Sequence, residues 1–117
     1  MKFVRMFTGP DGRSHFEDMP MTFDPAKDPP YGIPLKPVSG AFFRRGIKSV
    51  NKFQRAPRRH YVITLGGEIE IEVGSGDRRR FGPGDVLLAE DTTGEGHIVR
   101  VIGAEERVAL SLPIVGD

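Results

Sequence analysis

From Glu68 to Val73 the chain alternates without a break. Ile69, Ile71 and Val73 fall on one side of an extended strand and Glu68, Glu70 and Glu72 on the other. A period of two marks a strand half buried in a sheet. Three like charges on one face repel unless a neighbouring strand supplies cations. Gly74-Ser75-Gly76-Asp77 has the composition of a hairpin turn, and Arg78, Arg79 and Arg80 return directly after it. Cross-strand Glu–Arg pairs are therefore expected, which gives these arginines a structural role.

The same reading extends along the chain. His60 to Leu65 is rich in β-formers and apolar on both faces, which predicts a strand covered on both sides. Phe81-Gly82-Pro83-Gly84-Asp85 reads as a turn before an apolar strand, Val86 to Ala89. The loop Glu90 to Gly96 leads into His97 to Ile102, where His97, Val99 and Val101 share a face. Arg100 lies on the other face and prefers solvent, so His97 is expected to point inward. Val108 to Leu112 reads as a last strand. Lys2 to Phe7, Ser14 to Glu17 and Ala41 to Ile47 are weaker strands, and Asp24 to Pro37 is a Pro-rich extended connection. No segment has helical periodicity and no repeat appears. Short strands with frequent turn signals predict an all-β sandwich or barrel.

Composition narrows this. The 117 residues include 15 Gly and 10 Pro, a load that disfavours a helical bundle. The length suits one domain. The chain has no Cys, which excludes a disulfide framework, a thiolate zinc site and a thiol nucleophile. Neither a signal-peptide core nor an apolar run of membrane-spanning length occurs, so the chain reads as soluble and cytoplasmic, with no membrane partner.

The net charge of +1 hides a segregation: no Asp or Glu occurs between Pro29 and Gly67, where Lys36, Arg44, Arg45, Lys48, Lys52, Arg55, Arg58 and Arg59 all lie. The favoured reading is that basic strands pair with acidic ones, within the chain or across a dimer. A basic surface for an anionic ligand is the other. Nucleic acid is disfavoured, because the block lacks interleaved aromatic platforms and no helix is available to enter a groove.

Three stretches, His60–Val73, Phe81–Val86 and Thr92–His97, resemble the conserved-barrel cupin family. The resemblance covers residues 41 to 113 and implies a double-stranded β-helix, the jelly-roll barrel of RmlC-like proteins. Residues 1–40 then form N-terminal strands and the Pro-rich connection of the same single domain. Gly67 matches the closing Gly of the first cupin motif. His60 stands at the family's Glu position, Gln54 at its first His, Ala56 at its second and Lys48 at its opening Gly. In the second motif Gly84, Gly94 and His97 match, while Thr92 replaces Pro and Val101 replaces Asn. The stretches FQRAPRRHYVITL and GPGDVLLAEDTTGEGH resemble a subgroup of small cupins, which leaves the activity open.

The family commonly holds one divalent metal inside the barrel. The resemblance therefore implies His60 and His97, on neighbouring strands, as ligands of one divalent transition metal such as Zn, Fe, Ni or Mn, with Gln54 or His15 as a third. The alternative for the two histidines is a hydrogen-bonded interior pair without metal. Two function classes follow. One is a binding protein for a small organic ligand, anionic or neutral, lined by Gln54, His60, Val62, His97 and Val99, with Arg58 or Arg44 fixing a carboxylate where there is one. The other is a metal-dependent dioxygenase or isomerase acting on a small organic acid. The resemblance also implies a homodimer, which the two-sided apolar run Tyr61–Leu65 suits. Ser14, His15 and Asp18 sit too close on one strand for a triad. Glu90 and Asp91 offer an acid–base pair, although Asp91 reads better as the cap of the Thr92–Gly96 turn. The Phe81–Gly84 glycines lack the Lys-Ser/Thr of a phosphate loop.

Overall fold

Alternation in the sequence becomes two facing sheets. The computed structural model describes residues 1–22, 24–29 and 32–116. Its strands are β1 (Phe3–Thr8), β2 (Ser14–Asp18), β3 (Phe42–Arg45), β4 (Val50–Gln54), β5 (His60–Gly66), β6 (Glu68–Val73), β7 (Arg78–Phe81), β8 (Val86–Glu90), β9 (His97–Ile102) and β10 (Val108–Pro113). Six form one sheet in the order β2-β1-β8-β5-β10-β3, and four form the other in the order β4-β9-β6-β7. Among the described residues β1 runs parallel to β8, and the other strand pairs are antiparallel. No helix among them is long and apolar enough to cross a membrane.

The core lies between the sheets. Ile69, Ile71 and Val73 of β6 are buried there against Val4, Met6, Leu87 and Ala89, with Val62 and Val99 beside them. On the opposite face of β6 the expected ladder forms. Glu70 stands opposite Arg80 and Glu72 opposite Arg78, and Arg100 of β9 closes on Glu72 at 2.7 Å from the other side. Arg79 is the exception. Alternation sends it to the other face, where it bonds Asp18 at 2.9 Å and stacks over Phe16.

A second cluster forms on the outer face of β5 and β8, around Tyr61, Leu88 and Ile114. The chain supplies its own cover there. Lys36 donates its backbone N–H to the Tyr61 hydroxyl at 3.0 Å, and Val38 bridges Ile114. The two-sided apolar character of β5 is thus met within one copy at Tyr61, while Leu65 at the strand's end stays exposed.

Two elements differ from expectation. The strand expected over Ala41–Ile47 shortens to Phe42–Arg45, because Gly46 turns away with φ of 68°. β4 has no counterpart in the sequence reading. It turns Val50, Lys52 and Gln54 toward the cavity and Asn51 and Phe53 outward, so no apolar stripe marks it.

Candidate functional site

A cavity of about 230 Å³ opens between the sheets. The six-stranded sheet builds one wall. Register sets Thr64 of β5 beside Ala109 of β10, and Ala109 beside Arg44 of β3, so the three share the inward face. His60, Val62 and Ser111 continue that face, and Arg107 joins it just before β10. The four-stranded sheet builds the facing wall from His97 and Val99 of β9, Ile69 and Ile71 of β6, and the inward residues of β4. Met6 of β1 and Leu87 and Ala89 of β8 extend the wall of the six-stranded sheet.

His60 and His97 therefore meet across the cavity from opposite sheets. The expectation that they sit on neighbouring strands is corrected by the sheet order, which places β5 in one sheet and β9 in the other. Each ring is held by its Nδ1. In His60 this atom lies 2.7 Å from Ser111 Oγ. Burial first, and then the positive charge of Arg44 and proximity to His97, push the His60 pKa down to about 4, with Asp91 acting the other way. His60 is neutral at pH 7. In His97, Nδ1 lies 2.6 Å from Asp91 Oδ2, which also accepts the Ser14 hydroxyl at 2.7 Å.

Asp91 is fully buried, and its Oδ1 has no hydrogen-bond partner. It does not cap the following turn as expected. The Thr92 N–H bonds the Glu90 carbonyl instead, and the Asp91 carboxylate turns inward to orient His97. Nor is Glu90 its acid–base companion. Burial raises the Glu90 pKa, but Arg5 at 2.6 Å and Arg59 at 2.7 Å outweigh it, and the net shift is downward. Glu90 is a fixed anion outside the cavity lining.

Arg107 is a buried cation of the cavity wall. Only 3 % of it is exposed, and one guanidinium nitrogen donates to Thr64 Oγ1 at 2.7 Å. Burial, and then Arg44, lower its pKa, yet a guanidinium keeps its charge in a protein. Among the described residues neither Arg107 nor Arg44 has a carboxylate partner. Lys48, Lys52 and Arg55 line the same cavity, and among the described residues no Asp or Glu does. The basic segment thus divides. Arg45 pairs with Glu106 and Arg59 with Glu90, as the pairing reading expected, whereas Arg44, Lys48, Lys52 and Arg55 turn to the cavity.

Of the residues expected at the site, Gln54, His60, Val62, His97 and Val99 come together, and Arg44 joins them. Arg58 is not in the lining. His15 lies elsewhere: alternation in β2 turns Ser14 inward and His15 outward, where it bonds Asp11 at 2.9 Å and packs on Phe7. It is no third ligand for this cavity. Among the described residues no three His, Cys, Asp or Glu side chains stand close enough to hold a metal. Two imidazoles and an amide, ringed by cations with no facing carboxylate, suit a divalent ion poorly. Arg107 and Ser111 escaped the sequence reading. Their signal was available: Arg107, Ala109 and Ser111 recur with a period of two into β10.

No protein-family model matches the chain, and no curated protein matches it.

Proposed function

We propose that this chain is a single-domain cupin that binds a small organic anion in the cavity between its sheets. One observation carries the binding reading: Arg107 is a buried cation at the cavity wall without a carboxylate partner among the described residues. An uncompensated buried charge costs several kcal/mol, and a bound anion removes that cost. A guanidinium is also shaped for bidentate contact with a carboxylate, and Arg44 stands beside it. The apolar part of the lining suits a short carbon skeleton.

The cupin part draws on strand order. Strands β3 to β10 fall into the ranks β3-β10-β5-β8 and β4-β9-β6-β7, as eight jelly-roll strands would. The turns at Gly67, Gly84 and Gly94, each with positive φ, sit where the resemblance puts its motif glycines.

The test is Arg107→Met. Removing an unpaired buried charge is expected to raise the stability of the ligand-free protein by about 1–3 kcal/mol in urea unfolding. The same change should abolish stabilisation by small carboxylates in thermal-shift titrations, with matched neutral amides inert in both proteins. Equal stabilisation of wild type and variant by carboxylates would refute the reading.

A further inference from the structure

His97 has one nitrogen committed and one free. Asp91 Oδ2 lies between two donors, the Ser14 hydroxyl and His97 Nδ1–H. In the neutral imidazole, a carboxylate that accepts from Nδ1 places the one ring proton there and leaves Nε2 with a lone pair. Nε2 has no hydrogen-bond partner among the described residues, although His97 lines the cavity and its side chain is only 13 % exposed. A carboxylate oxygen cannot serve this atom, because both are acceptors. The ligand must bring a donor.

Charge decides which donor. An ammonium would enter a cavity lined by Arg44, Lys48, Lys52, Arg55 and Arg107 and be repelled by each. A hydroxyl brings a proton without a charge. The cavity, of about 230 Å³, is of a size for a small ligand.

We infer that the ligand class is a small hydroxy carboxylate, with its carboxylate on Arg107 and Arg44 and its hydroxyl donating to Nε2 of His97. The inference rests on the anion reading above and adds the second point of recognition. Asp91 is then a positioning residue: it touches no ligand and fixes which His97 nitrogen accepts. A site whose acceptor faces the cavity favours an acid that carries the hydroxyl over one that leaves that acceptor to water.

Calorimetric titration of the wild-type protein with butyrate, the monohydroxybutyrates and the matching aminobutyrates tests this. At least one hydroxybutyrate should bind about tenfold tighter than butyrate, and the aminobutyrates more weakly than butyrate. His97→Phe should still bind butyrate and lose the hydroxyl gain. Nitrogen NMR of the histidine rings provides a check that needs no variant, with the His97 proton expected on Nδ1. Butyrate binding with no gain from any hydroxyl position overturns the inference and leaves the anion reading standing. So does a His97 proton on Nε2. Failure of every one of these acids to bind up to about 10 mM overturns the anion reading itself.

Discussion

At His60 a single ring ties the structure to a solution property. Its pKa falls from 6.5 in the unfolded chain to about 4 in the fold, through burial first and the charge of Arg44 next. Between those values the unfolded state binds the proton and the folded state does not, so stability rises with pH. The contribution is intact above pH 6.5 and is lost as the pH falls toward 4. One proton gives a slope of at most about 1.4 kcal/mol per pH unit, and partial solvent access trims the total to about 2 kcal/mol. Urea unfolding across that interval should show the slope in the wild type and a shallower one in His60→Phe. Coincident slopes would mean that His60 is not held neutral in the fold. At this scale the sequence pointed to His60 and His97 through the resemblance, and the inward direction of His97 followed from Arg100 opposite. The role of Asp91 was hidden, because whether a loop carboxylate caps its own turn or reaches inward depends on what stands behind it. Ser14, distant in sequence, is what stands there.

At the scale of elements, legibility follows the hydrophobic pattern. β6 was unambiguous because its apolar and acidic faces each find the partner that the pattern demands: a core on one side and arginines on the other. β4 was silent because it is an edge strand whose inward face is Val, Lys and Gln. Its five residues are all exposed, and its register against β9 is irregular between Val50 and Gln54. Little apolar burial holds it, so it belongs to the low-stability end of the fold. Amide exchange should be faster in β4 than in β6 by about two orders of magnitude or more. Protection of β4 equal to that of β6 would contradict this. Because Lys52 and Gln54 line the cavity, bound ligand should slow β4 exchange before that of any core strand.

For the whole molecule, the segregation of charge along the chain becomes a partition in space. Basic residues whose strands lie near acidic ones are neutralised at the surface, and those whose side chains turn inward gather around one cavity. The field at the mouth should therefore assist anion binding in a salt-dependent way. Raising ionic strength from about 10 mM to about 1 M shortens the screening length from about 30 to 3 Å. Carboxylate affinity should fall about three- to tenfold over that range, and less in a Lys48→Ala, Lys52→Ala double variant. Affinity indifferent to salt in the wild type would show that the rim lysines take no part. By itself the sequence determined the all-β class, most of the strands and the ladder on β6, because these follow from periods and turns within a few residues. The tertiary structure decided the cavity: that His60 and His97 face each other from different sheets, that His15 is elsewhere, and that Arg107 is buried with no acid beside it among the described residues. Those facts depend on the order in which strands pair across the whole chain, and a local pattern of residues does not encode that order.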